Sequence, residues 1–307
     1  LASDLAATTS LAQMAWQKAR QNNDFSEFSP HLKKVIDLKR EEASLLSPSG
    51  DLYDGLINDY EFGMTKKETA SIFEEMKPRL LDLRQRISEA KLSKPVLESD
   101  FNTEKQLKLA HEIAETFFYD FDRGRIDTVA HPFCSGGGDD VRITTRVDNK
   151  DPFNCLYSTI HEVGHACYEQ NVSSEFLHSP LGSGVSLGIH ESQSRIFENQ
   201  IGRSRQFTKW LFKKMKNYFG EFDINDEEEF YRLVNKVETG FIRTEADEVH
   251  YNLHIMLRFE LEVEVIGKNL EVPDLPEAWN TKFKEYFDRD VEKASDGILQ
   301  DVHWSIG

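Results

Sequence analysis

The sequence predicts a mainly α-helical fold with one small β-region. Apolar residues recur at helical spacing over most of the chain, helix-start signals precede those stretches, and one short segment alternates apolar and polar residues. Of 307 residues, 39% are hydrophobic and 30% charged, the balance expected of a soluble globular chain. No apolar run approaches the roughly 18 residues that cross a bilayer, so no membrane partner is expected. The formal net charge is −17, from 37 basic and 54 acidic residues. So acidic a surface repels phosphate backbones, and no nucleic-acid partner is expected. Cys134, Cys155 and Cys167 contain no CxxC pair, which points away from a disulfide framework and towards a cytoplasmic location.

The elements follow in order. Ser29-Pro30 reads as an N-cap followed by Pro at the first helical position, ahead of a stripe through Leu32, Val35, Ile36 and Leu46. Thr65-Lys66-Lys67-Glu68 matches a capping box ahead of Ile72, Phe73, Leu80 and Leu83. A third helix is predicted from Asn102-Thr103, with Gln106 in the capping-box position and Leu107, Ala110, Ile113, Ala114 and Phe117 along one side. Near Asp127 the texture changes. Gly136-Gly137-Gly138 suits a turn, and Val141–Val147 alternates and is rich in β-branched residues, so it reads as a strand. Helical patterns resume at Asp151 and run to about Glu292. No Pro/Ser-rich linker interrupts the chain. A single domain over 1–307 is therefore expected, with N-terminal helices over 1–126, the β-region over 127–150, and the helices that carry the candidate site over 151–307.

Asp151-Pro152 is an N-cap with Pro at the first helical position. On the helix that follows, Tyr157, His161, His165 and Tyr168 share a face. In His161-Glu162-Val163-Gly164-His165, two imidazoles four residues apart can aim at one tetrahedral zinc. Glu162, one step around the helix, is placed to accept a proton from the attacking water. Gly164 leaves one side of the turn bare for the close approach of another element. A pair of solvent-facing histidines is the competing reading. His111-Glu112 and the pair His250 and His254 look similar but read as surface or packing histidines. A catalytic zinc needs a third protein ligand. Glu191 is preferred and its neighbour His190 competes; both follow the Gly182-Ser183-Gly184 loop and open a new helical pattern.

At this point the chain resembles peptidase family M32, the carboxypeptidase Taq family of metallocarboxypeptidases. The resemblance rests on six segments in order: His131-Pro132-Phe133, Asp140-Val141-Arg142-Ile143-Thr144, His161-Glu162-Val163-Gly164-His165, His190-Glu191-Ser192-Gln193, Ile242-Arg243-Thr244-Glu245-Ala246-Asp247, and Gly297-Ile298-Leu299-Gln300-Asp301-Val302-His303-Trp304. It implies a large helical gluzincin-type metallopeptidase domain with a small β-sheet beside a substrate groove. It also implies a homodimer and removal of single residues from peptide C-termini with broad tolerance. Zinc is the implied metal, with cobalt as a possible substitute. By position it makes His161, His165 and Glu191 the ligands and Glu162 the general base. Complete members extend beyond both ends of this chain, which begins at Leu1 rather than Met, so a truncated member is expected.

An enzyme that works at C-termini must grip a free carboxylate, and an arginine fork is the simplest device. Arg243 is the first candidate, against a salt bridge to Glu245 or Asp247. Arg142, on the predicted strand, is the second, against a plain surface role. His131, His303 and Tyr251 are candidate donors to a developing oxyanion. Asp247 or Glu248 is expected to hold the outer nitrogen of a metal histidine. The Val141–Val147 strand could pair with an extended substrate, or serve only as a structural hairpin. The rival functions are a zinc endopeptidase or oligopeptidase, and a catalytically inactive helical metal-binding fragment.

Overall fold

A computed structural model of the chain describes residues 1–47, 49–90, 95–129 and 132–307. Its contacts divide it into two compact units, one formed by Leu1–Lys91 with Val237–Gly307 and the other by Leu92–Lys236. Helix dominates both, as expected, and among the described residues there is one small sheet.

The first unit begins with α1 (Ala2–Asn22), α2 (Ser29–Leu46), α3 (Leu52–Tyr60) and α4 (Lys66–Glu89). Ser29, expected as an N-cap, is instead the first helical residue, and Phe28 holds the cap position. A 3₁₀ turn over Phe25–Glu27 runs straight into α2, because Asp24 caps that turn and the wholly buried Phe28 anchors the junction. The capping box on α4 is present. Thr65 Oγ1 accepts from Glu68 N, and Glu68 Oε2 accepts from Thr65 N at 3.0 Å. The α4 stripe is narrower than expected. Phe73 and Leu80 pack on the core, whereas Ile72 and Leu83 are 53% and 39% exposed.

The second unit holds α5 (Thr103–Thr116), β1 (Ile126–Thr128), β2 (Cys134–Gly137), β3 (Asp140–Thr145), α6 (Pro152–Gln170), α7 (Leu187–Arg195), α8 (Arg205–Phe219) and α9 (Glu227–Val234). Asn102 caps α5, accepting from Lys105 N at 3.0 Å. Gln106 does not close a capping box. It is buried and ties Phe101 O and Asp148 O at 2.9 and 2.7 Å, pinning the loop before α6. The predicted strand forms as β3, but in the middle of the sheet, parallel to β1 and antiparallel to β2. Its two edges are therefore occupied, and it cannot add a substrate strand. Gly136 and Gly137 belong to β2, and the turn falls at Gly138, whose φ of 59° suits glycine.

The chain returns to the first unit with α10 (Glu248–Ile266) and α11 (Leu275–Phe287). Trp16 of α1 donates to Leu299 O at 3.0 Å, tying this return to the start of the chain. His250 and His254 are buried on α10, in keeping with packing roles. His254 lies against Phe287, with ring centroids 4.5 Å apart, and neither ring nitrogen has a hydrogen-bond partner among the described residues.

Burial, followed by the charges of His250 and Arg243, brings His254 down to about 3. An unfolded histidine titrates near 6.5. Between those values the unfolded chain takes up a proton that the folded chain refuses. The stability held by a neutral His254 is thus complete above about pH 6.5 and is lost as pH falls towards 3. His254→Leu should reduce the loss of unfolding free energy between pH 7.5 and pH 5 by about 2 kcal/mol, read from urea unfolding. An equal loss in variant and parent would rule this out.

Candidate metal centre

The site is built on α6 and α7 of the second unit. Asp151 caps α6 through Phe153 N and Asn154 N at 3.1 and 3.2 Å, with Pro152 at the first helical position. This sets the rotation of the helix and places His161 and His165 on one face, with ring centroids 4.9 Å apart. Ser186 caps α7 by accepting from Ile189 N at 2.9 Å. The two helices cross in contact at Gly164. A Cβ there would lie 2.5 Å from Ser194 Cα and 2.8 Å from Gln193 O, so only glycine admits this approach.

The crossing brings Glu191 to the histidine face. Glu191 Oε2 lies 3.4 Å from His165 Nε2 and 3.8 Å from His161 Nε2. One ligand atom from each of the three residues lies within 4.8 Å of the others. Ligand atoms at about 2.0–2.2 Å from a tetrahedral ion stand roughly 3.3–3.6 Å apart, and the two separations from Glu191 Oε2, 3.4 and 3.8 Å, lie close to that spacing. Two imidazoles and a carboxylate also suit zinc chemically and leave a fourth position open.

His190, the competing ligand, has both ring nitrogens engaged elsewhere. Nδ1 is 2.6 Å from His165 Nδ1, and Nε2 is 2.8 Å from Glu169 Oε1. The outer nitrogen of His161 is held by Glu198, with Nδ1 to Oε2 at 2.8 Å. Asp247 and Glu248 do not take that role. Asp247 caps α10 and accepts from His250 Nδ1 at 2.8 Å, and Glu248 is exposed. Glu198 sits in a π-helical turn over Ile196–Ile201 that continues α7. Arg195 joins the acids, with Nε to Glu191 Oε1 at 3.0 Å and Nη1 to Glu198 Oε2 at 3.1 Å.

The site's carboxyl groups are driven apart. Burial pushes Glu162 up to about 7, and the neighbouring charges of Glu191 and Glu198 add to it, against the opposing charge of His161. Burial acts the same way on Glu191, but the hydrogen bond with His165 and the charges of His161 and Arg195 bring it down to about 2. The carboxyl of Glu191 is thus held ionised, while that of Glu162 is held nearer neutrality. Glu198 is held low as well: burial opposes this, and the His161 hydrogen bond with Arg195 and Arg203 prevails.

Of the other expected site residues, Arg142 lies on β3 with Nε and Nη2 both donating to Asp140 at 2.8 Å. Arg243 and His303 belong to the first unit. Arg243 donates to Tyr251 Oη at 3.0 Å and to Asp301 at 3.3 Å, and His303 Nδ1 meets the same Asp301 at 2.5 Å. His131 lies outside the described residues. Glu169, Arg195 and Glu198 were not anticipated. Their signals were present: Glu169 stands four residues after His165, and Arg195 and Glu198 stand four and seven after Glu191.

Residues 1–307 match the sequence pattern of the family described as Carboxypeptidase Taq (M32) metallopeptidase. Thermostable carboxypeptidase 1 of Thermus thermophilus is 41% identical over 320 residues, covering 100% of this chain and 62% of the relative. The crystal structure of an M32 carboxypeptidase from Deinococcus radiodurans R1 superposes with a TM-score of 0.95 at 42% identity, covering 100% of this chain and 62% of that one. Trypanosoma cruzi metallocarboxypeptidase 1 superposes with a TM-score of 0.91 at 37% identity, covering 99% of this chain and 62% of that one. The chain therefore spans 62% of the length of these relatives.

Proposed function

Since the chain belongs to the carboxypeptidase Taq (M32) metallopeptidase family, we propose that it carries the metal centre of a zinc carboxypeptidase that removes C-terminal residues from peptides with broad specificity. The observation that carries this reading is the convergence of His161 Nε2, His165 Nε2 and Glu191 Oε2. Cobalt is the proposed substitute metal. When bound, zinc polarises a scissile carbonyl and acidifies its water towards a pKa of about 7.

Glu162 takes the proton of the attacking water at its carboxylate and delivers it to the leaving amine. Its buried setting suits both steps, because a group near neutrality can accept and return a proton. Glu198 holds His161 so that Nε2 faces Glu191. Arg243 is proposed to receive the terminal carboxylate of the substrate, with Arg142, His131 and His303 as further substrate-binding residues. A homodimer is proposed on the family likeness alone. The three unpaired cysteines support a cytoplasmic location, and no helix among the described residues is long and apolar enough to cross a membrane.

The test pairs metal analysis with hydrolysis of a short N-blocked peptide as free acid and as C-terminal amide. Cleavage of the acid alone supports carboxypeptidase action, and equal cleavage of both, or of internal bonds in doubly blocked peptides, points to an endopeptidase. Arg243→Ala should lower kcat/KM on free-acid peptides by about 10²-fold, as expected when one partner of a charge-assisted pair is removed. Unchanged kcat/KM in a variant that melts like the parent would remove Arg243 from the substrate contacts.

A further inference from the structure

Resting on the metal-site reading above, we propose that His190 and Glu169 are positioning residues that hold His165 with its Nε2 turned to the metal. Adjacent residues of α7 thus do different work, Glu191 as ligand and His190 as the holder of a ligand. Proton positions follow from the order of partners. Glu169 Oε1 accepts from His190 Nε2–H at 2.8 Å. The ring's other nitrogen, Nδ1, then accepts from His165 Nδ1–H at 2.6 Å. When His165 gives up its Nε2 proton in exchange for an ion, its ring keeps Nδ1–H for His190 and offers Nε2, which stands 3.4 Å from Glu191 Oε2. His161 reaches the same state in one step, by donating Nδ1–H to Glu198 at 2.8 Å.

The chain is built in rather than incidental. His161, His165 and Glu169 stand four apart on α6, so they lie along one face. Glu169 is buried, which strengthens its bond to His190 relative to one in water. The His190 ring lies between those of His165 and Tyr168, with centroids 4.7 and 4.8 Å away. Gly184 packs close against the ring: a Cβ there would come within 2.8 Å of His190 Cδ2 and of Tyr168 Cε1. The ring has little freedom to turn its nitrogens elsewhere.

Zinc affinity of the metal-free protein, measured by competition with a chromogenic chelator, tests this without recourse to turnover. His190→Phe keeps an aromatic ring but neither nitrogen, and should weaken zinc by about 10- to 100-fold. His190→Gln should recover most of that, because one amide can accept from His165 and donate to Glu169. Glu169→Gln should weaken zinc by about tenfold. The visible absorption of the cobalt-loaded protein should change in His190→Phe and return in His190→Gln. A packing role predicts the opposite order, with Phe tolerated. If the parent binds zinc and His190→Phe matches it in affinity and cobalt spectrum, the positioning role is wrong and the metal site stands. If the parent binds no zinc, the metal site itself fails and the positioning role with it. Should His190→Phe not fold, Glu169→Gln decides: weaker binding supports the role, and unchanged binding overturns it.

Discussion

Glu162→Gln should keep its zinc and lose peptide hydrolysis by about 10³-fold, measured as kcat/KM on an N-blocked peptide with metal content determined in parallel. Gln matches Glu in size and retains hydrogen bonding, so the buried space beside His161 stays filled. What it cannot do is take up and return a proton. The two neighbouring carboxyl groups are tuned in opposite directions, Glu162 up to about 7 by burial and Glu191 down to about 2 despite it. That division is what the proposed roles require, with Glu162 transferring a proton and Glu191 holding a cation. If Glu162→Gln retains zinc and still turns over at the parent rate, proton transfer lies elsewhere. If it loses zinc, Glu162 helps to hold the metal and the division of labour is wrong.

Gly164→Ala should weaken zinc by about tenfold or more and lower the thermal unfolding midpoint, although alanine is intrinsically the better helix former by about 1 kcal/mol. The added methyl meets backbone rather than a side chain that could swing aside, with Ser194 Cα at 2.5 Å, Gln193 O at 2.8 Å and Ser194 N at 2.9 Å. Overpacking of this kind costs about 1–3 kcal/mol. Relief requires α7 to move off α6, and Glu191 is carried on α7 three residues before Ser194. Gly240→Ala is the control, since a Cβ there has nothing within 4 Å and should leave both quantities unchanged. Parent-like zinc affinity and melting in Gly164→Ala would show that the crossing has slack and does not set the ligand geometry.

What the sequence made legible was chiefly local. The Asp151-Pro152 start of α6, the common face of His161 and His165, the Thr65 capping box and the need for a small residue at Gly164 all follow from the geometry of a single helix. Arrangements between elements were harder to read. Asp247 seemed a fitting partner for a metal histidine, yet it is committed to its own helix start and to His250, and Glu198 takes the place. Choosing between them requires knowing how α7 crosses α6 and that its end widens into a π turn, neither of which shows in residue spacing. The Val141–Val147 pattern identified a strand, but its central place depends on β1 and β2 pairing from either side. Ile72 and Leu83 fit a helical stripe, but a stripe does not state how much of it the neighbouring elements cover. His190 and Glu191 differ by one residue, so their separate roles emerge only when both nitrogens of His190 are traced to His165 and Glu169.

Anomalous X-ray scattering from zinc-loaded crystals locates the ion directly. One peak is expected, about 2.0–2.2 Å from His161 Nε2, His165 Nε2 and a carboxylate oxygen of Glu191. A peak bound through His190 in place of Glu191, or no density between those three side chains in crystals that hold zinc elsewhere, would contradict it.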